Sequence, residues 1–370
     1  MTEQARGVGA DVTARTGYVI ALSSVAAIGG FLFGFDSGVI NGTVDALAHA
    51  FGTRAATTGF AVASVLLGCA VGAFAAGTIA DRYGRRPTML LTAALFLASA
   101  VATGLARSDG FFIASRIVGG LAIGGASVLA PMYIAEVAPS RMRGRLASLQ
   151  QMAIVLGLFG AFLSNDILAR IAGGAAATLW LGLPAWRWMF WMEALPSIAF
   201  LVGVLLIPES PRFLVAHGRR DDASRVFARI GCDAESLVRQ VEESLRGELR
   251  PRLADLLVQD THRLDPVVWI GIGLAAFQQL VGINIIFYYG EVLWKAAGAT
   301  EQWALRINLH TGLVNILATI PAIALIDRVG RKPLLLAGSA GMAVTLGAMA
   351  AVFATAGLDA NGKPLLGHAA

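Results

Sequence analysis

Charge is scarce in this chain. Only 14% of its 370 residues are Asp, Glu, Lys or Arg, against about 25% in an ordinary soluble domain, so most of its length is unsuited to water. Cysteine is nearly absent: Cys69 falls in an apolar run and Cys232 in a polar stretch, which leaves no disulfide framework. The five histidines are scattered, with no His-x-x-x-His or Cys-x-x-Cys spacing, so no metal site is expected. No G-x-x-x-x-G-K-[ST] phosphate loop occurs, which argues against ATP-driven work by this chain and against a bound cofactor. No constellation of an enzyme's catalytic groups appears either. The first apolar run lacks a short core ending in an A-x-A site and reads as a retained span, not a cleaved signal.

What the chain has is apolar length. Crossing about 30 Å of hydrocarbon takes roughly 20 residues, and nine runs qualify: about 18–40, 58–80, 88–106, 111–135, 147–171, 187–207, 266–290, 305–326 and 334–356. Small residues such as Gly119, Gly120, Gly124 and Gly125 in the fourth let helices approach closely. The net charge of +5 raises the question of nucleic acid, but its distribution answers it. The polar stretch from Pro208 to Asp265 holds ten Arg and eleven acids and is close to neutral. Amphipathic helices are expected there, near Asp221–Ile230 and Ala234–Leu245. The basic excess sits in short loops on one side, with the amino terminus, which makes that side the cytoplasm and argues for membrane lipid, not nucleic acid, as partner.

One seven-residue pattern occurs twice, D-R-Y-G-R-R-P from Asp81 to Pro87 and D-R-V-G-R-K-P from Asp327 to Pro333. Each copy separates two apolar runs. Parallel repeats of this kind build transporters from two bundles that rock about a central site. An Asp at a helix start meets the positive end of the dipole while arginines tie loops together, so the repeats are read as conformational latches. Asp36, Arg116 and Glu193 interrupt otherwise apolar spans, and an ionisable residue at such a place is a functional candidate by default. A carboxyl in dry surroundings holds its proton and one beside a guanidinium releases it. A side chain that alternates between the two settings can carry a proton.

The ordered motifs resemble the sugar porters of the major facilitator superfamily. They are F-G-F-D-S-G-V-I-N-G (Phe33–Gly42), the first basic repeat, R-I-V-G-G (from Arg116) and P-M-Y-I-A-E-V-A-P-S-R-M-R-G (Pro131–Gly144). W-R-W-M-F (Trp186–Phe190), P-E-S-P-R-F-L (Pro208–Leu214), F-Q-Q-L-V-G-I-N (Phe277–Asn284) and the second repeat follow. The resemblance implies an all-α polytopic fold: a six-helix bundle over 1–207, a cytoplasmic helical insert over 208–265, and a second bundle over 266–370. Only three of that bundle's six helices are expected here, and the family's tenth-helix Trp and the eleventh-helix partner of Asp81 are expected to be missing.

The resemblance also implies roles. Asp36, Arg116 and Glu193 are the proton-coupling residues: the first two form the pair, and Glu193, near the cytoplasmic-gate network, modulates the coupling. That network comprises Asp81, Arg82, Gly84, Arg85, Arg86, Glu136, Arg143, Glu209, Arg212, Asp327, Arg328, Gly330 and Arg331, with Asp327 near Arg143. Sugar hydroxyls need paired donors and acceptors, which amides supply, and a sugar's C–H faces suit aromatic rings. The candidates are Phe33, Gln151, Gln278, Gln279, Asn284, Tyr288 and Asn315. On a straight helix Gln278 and Tyr289 share a face with Gly282 while Asn284 and Tyr288 point elsewhere; a break near Gly282 is expected to reconcile them. Leu158 stands where some proton-coupled relatives have a further Gln. The reading is a monomeric inner-membrane symporter of a pentose or hexose with protons. A facilitative uniporter, or a sensor or remnant that does not transport, stay open as alternatives.

Overall fold

The computed structural model describes residues 15–139, 142–231, 233–246, 266–355, 357–358 and 364–365. Arg141, Cys232, the insert's 247–265 stretch and the side chain of Asp327 lie outside the described residues. Among those described, nine helical segments are long and apolar enough to cross a membrane. Each overlaps one of the nine apolar runs, with ends that differ by a few residues.

The first half contains α1 (Thr16–Val39), the short α2 (Val44–Phe51), α3 (Ala55–Tyr83), α4 (Arg85–Leu105), α5 (Asp109–Val137) and α6 (Arg143–Ala172). Its sixth span is split into α7 (Ala185–Trp191) and α8 (Ala194–Leu206). Pro196 explains the split: it has no N–H to give the carbonyl four residues back, at Met192, and its ring crowds that carbonyl. The chain turns there and places Glu193 at the joint. Ser108 caps α5 by accepting the Phe111 N–H at 3.3 Å, and Asp109 in the first turn complements the helix dipole. Close packing of α3 on α5 depends on glycine. A Cβ on Gly68 would lie 2.1 Å from the Ile117 carbonyl oxygen, and one on Gly120 2.0 Å from that of Val65.

Three short helices follow: α9 (Pro211–Ala216), α10 (Arg220–Ile230) and α11 (Ala234–Arg246). They are not merely laid on the surface. Val226, Phe227 and Ile230 are buried in the same cluster as Leu22 and Leu146, and the Ile230 carbonyl accepts the Arg15 N–H at 2.8 Å.

The second half holds α12 (Pro266–Leu280), α13 (Ile283–Ala296), α14 (Glu301–Val329) and α15 (Arg331–Thr355). A two-residue antiparallel pairing of Gly357–Leu358 with Pro364–Leu365 comes after them. The expected break falls at Gly282, whose φ of 80° separates α12 from α13. A second irregularity, at Tyr289 (φ −120°, ψ 16°), bends α13.

Among the described residues, the polar contacts between the two halves gather at one end. Call the end with both basic repeats the basic-loop face, and its opposite the far face. At the far face Asn41 and Asp45 reach α13, Phe162 stacks on Phe287 with centroids 6.5 Å apart, and Glu301 accepts the Ala175 N–H at 2.6 Å. At the basic-loop face α6 and α14 diverge around a cavity of about 530 Å³, lined by Ser148, Gln151, Thr319, Ala322, Ile326 and Arg331. The molecule is closed at the far face and open at the other.

Candidate functional site

Asp36 on α1 and Arg116 on α5 are each 1% exposed. They form a two-pronged ion pair, with Arg116 Nη2 donating to Asp36 Oδ2 at 2.9 Å and Nη1 to Oδ1. The guanidinium also lies 5.8 Å from the centroid of the Phe190 ring. Glu193, 2% exposed, is within electrostatic reach of both members of the pair. One cation and two carboxyls therefore share a dry compartment, and that cluster is neutral only when it holds one proton. Tyr288 of the second half completes the surround: its hydroxyl interacts with Ser37 and lies in the field of Asp36 and Arg116.

Two expectations change here. Glu193 does not belong to the basic-loop network; the break before Pro196 sets it deep in the bundle beside Asp36. Tyr288, which a straight helix would aim elsewhere, is carried to the pair by the break at Gly282.

Of the amide candidates, Gln151 stands at the open-face cavity, and Gln278, Gln279, Asn284 and Asn315 are not among its lining residues. Gln151 lines the cavity, while its neighbour Gln150 is buried against Gly30 of α1. Asn284 Nδ2 donates to Gln279 Oε1 at 2.9 Å across the helix break. Gln278 and Gln279 are exposed and Asn315 is half-buried. The side-chain amides of Gln151, Gln278 and Asn315 have no partner among the described residues. Phe33 is half-buried and packs into the first-half core, so it is not displayed as an open platform.

The first basic repeat is tied into its own half. Arg85 grips Glu136 through Nε (3.0 Å) and Nη2 (2.9 Å). Glu209 accepts the backbone N–H groups of Arg85 (2.9 Å), Arg86 (3.2 Å) and Ser210 (2.8 Å). It thereby fills the donor end of α4 with negative charge. Gly84 has φ 104°, and a Cβ there would sit 2.3 Å from Glu209 Oε2, so the turn requires glycine. Arg82 lies over the Tyr83 ring at 5.4 Å.

Asp81, whose eleventh-helix partner was expected to be missing, pairs with Arg85 at 3.2 Å. Arg212 is half-buried on α9. Arg143, Arg328 and Arg331 form no ion pair with any described side chain, and Gly330 sits at φ 89° between α14 and α15. Among the described residues no ion pair of either repeat links one half to the other.

A joint that the sequence did not disclose lies at the far face. The bend at Tyr289 separates the Phe287 carbonyl from the Glu291 N–H, which a regular helix would pair. The Asn41 amide takes both: Nδ2 donates to Phe287 O at 2.8 Å, and Oδ1 accepts from Glu291 N at 3.1 Å and from Asn308 Nδ2 at 2.7 Å. Lys295 pairs with Asp45 and lies 3.7 Å from Glu291, whose carboxyl is 1% exposed. Asn41 stood inside a recognised motif, and Glu291 is an acid in an apolar run; that was the only signal available.

Two bundles joined at one end around buried charge and free amides make this a membrane transporter of the major facilitator fold. The family model described as "Sugar (and other) transporter" matches residues 22–366, and the chain belongs to that family. It is 51% identical over 360 residues to the glucose transport protein of Synechocystis sp., covering 97% of this chain and 76% of that one. It is 36% identical over 366 residues to the D-xylose-proton symporter of Escherichia coli, covering 91% and 73%. A solved structure of the E. coli xylose transporter in a partially occluded inward-open conformation matches with TM-score 0.74 and 34% identity, over 86% of this chain and 75% of that one.

Proposed function

We propose that this chain is a symporter that carries a monosaccharide, a pentose or hexose, together with a proton across the inner membrane, and that it works as a monomer. The observation that carries the reading is the buried cluster of Asp36, Arg116 and Glu193, with its single cation and two carboxyls. The names of the relatives, a glucose transport protein and a xylose-proton symporter, support the substrate class.

The basic-loop face is the cytoplasm, since most of the Lys and Arg of the short loops lie there, and the amino terminus is on the same side. The conformation is accordingly inward-open. Residues 1–207 and 266–370 are the two rocking bodies, and 208–265 is the cytoplasmic insert. Asp36 is the proton carrier and Arg116 its counter-ion. When Asp36 takes a proton, the guanidinium loses one carboxylate and turns to the other, at Glu193, and the cluster goes from one net negative charge to neutral. Gln151, Gln278, Gln279, Asn284 and Asn315 serve sugar hydroxyls, with Phe33 and Tyr288 near its apolar faces. Tyr288 lies beside the ion pair, and through it sugar occupancy and proton occupancy are linked. The basic repeats guard the cytoplasmic mouth.

The test is Asp36→Asn in proteoliposomes. The variant keeps the shape of the side chain and leaves Arg116 neutralised by Glu193. Sugar exchange between equal pools is expected to persist while accumulation driven by a proton gradient disappears. Undiminished accumulation removes Asp36 from the coupling. Alkalinisation of a lightly buffered suspension on adding sugar separates symport from facilitated passage in the unaltered protein.

A further inference from the structure

One face of α10 turns toward the loop that follows α3. Asp222, Arg225 and Arg229 lie along it at i, i+3 and i+7, with Arg219 just before the helix. Arg86 of α4 stands opposite. With Glu209 these residues line a cavity of about 370 Å³, distinct from the one between α6 and α14. Four guanidinium groups thus face two carboxylates.

Both acids are already committed. Glu209 is held by three backbone N–H groups. Asp222 binds two arginines at once, Arg219 Nε at 2.7 Å and the Arg225 guanidinium. Arg229 has no partner among the described residues. Arg86 donates to the carbonyls of Val204 at 3.2 Å and Leu205 at 2.6 Å, in the last turn of α8. The cavity keeps an excess of two positive charges, and like charges gathered this closely repel unless an anion comes between them. Guanidinium forks match tetrahedral oxyanions with paired hydrogen bonds.

Depth narrows the choice of anion. The carbonyls that fix Arg86 belong to the end of a membrane span, so the cavity is level with the edge of the bilayer. Tyr83, 59% exposed beside it, is of the type that settles at that boundary.

We propose that this cavity binds a phosphate group, presented either by a phospholipid headgroup at the bilayer edge or by a soluble phosphomonoester. The cavity is separate from the one between α6 and α14, and the proposal does not depend on the sugar reading. The full chain, purified in a neutral detergent, is titrated with two probes, phosphatidylglycerol and glycerol 3-phosphate, and binding is read by native mass spectrometry and by the shift in melting temperature. Arg225→Gln/Arg229→Gln is expected to weaken binding at least about tenfold, since two charge-assisted contacts are lost. The single variant Arg229→Gln touches no ion pair and guards against a folding defect; about threefold weakening is expected from it. Lipid binding alone, lost in the variants, assigns the headgroup; glycerol 3-phosphate binding, lost likewise, assigns a soluble ester. If neither probe binds, or both variants bind as the unaltered protein does, the proposal is overturned.

Discussion

Replacing Asn41 by alanine isolates the joint that holds the far face shut. All the side-chain hydrogen bonds of Asn41 go to the second half: Phe287 O at 2.8 Å, Ile286 O at 3.4 Å, Glu291 N at 3.1 Å and Asn308 Nδ2 at 2.7 Å. Asn41 itself is fully buried. Three of the four are good bonds, each worth about 1 kcal/mol net, and in the alanine variant the bent backbone of α13 keeps a dry carbonyl and N–H with nothing to satisfy them. The expected cost to the closed arrangement is about 2–4 kcal/mol. Once the halves part at that face, water reaches the same groups, so the open arrangement loses little. The equilibrium between the two should move by a factor of about 30 to 1,000 toward far-face opening.

Spin labels at His49 on α2 and Gln302 on α14, both exposed, flank the joint. Pulsed dipolar measurements in lipid nanodiscs, without sugar, read the distance between them. The unaltered protein should give one short distance, and Asn41→Ala a dominant longer one. Asn41→Asp, which can accept from Glu291 N and Asn308 but cannot donate to Phe287 O, should fall between. An Asn41→Ala distribution that coincides with that of the unaltered protein would refute the claim that this amide secures the closure.

Other substitutions probe the remaining parts. Gly84→Ala combines a positive φ with a clash against Glu209 and should destabilise the first half by about 1–3 kcal/mol, seen as a lower melting temperature; an unchanged melt would mean that the loop relaxes freely. Gln278→Ala should raise the sugar dissociation constant about tenfold by removing one donor–acceptor group, and an unchanged constant argues that Gln278 is not a ligand. Glu193→Gln leaves Asp36 as the sole carboxylate beside Arg116. It should slow proton-driven uptake more than exchange, and equal slowing of both would place Glu193 in the scaffold instead.

The legible part of this molecule was the part written locally. Spans follow from apolar length, and the break at Gly282 from a glycine amid polar side chains. The pairing of Asp36 with Arg116 came through family resemblance, since nothing in the intervening 80 positions marks them as neighbours. Pro196 was there to be read, yet a run judged by hydropathy alone passes over a proline, and the joint at Glu193 was not foreseen. Asn41 was harder. Its partners lie about 250 positions away, and its role depends on a bend at Tyr289 that no local residue announces. The pairing of Asp81 with Arg85 needed only helical spacing, but expectation had fixed on a distant partner.

The polar bonds are divided unevenly between the two faces, and that division has a mechanical meaning. At the far face they cross between the halves and link single amides and charges that water can replace. At the basic-loop face the strongest contacts, Arg85 with Glu136 and Glu209 with the start of α4, stay within the first half and the insert that follows it. They stiffen a body that must move as one, so opening the far face need not disturb them. Closing the basic-loop face has to bring new partners together, and Arg328 and Arg331 of the second repeat have no described ion pair to give up first. Among the described residues the two repeats, alike in sequence, are therefore in unlike states: the first consolidates its own bundle, while Arg328 and Arg331 of the second hold no ion pair.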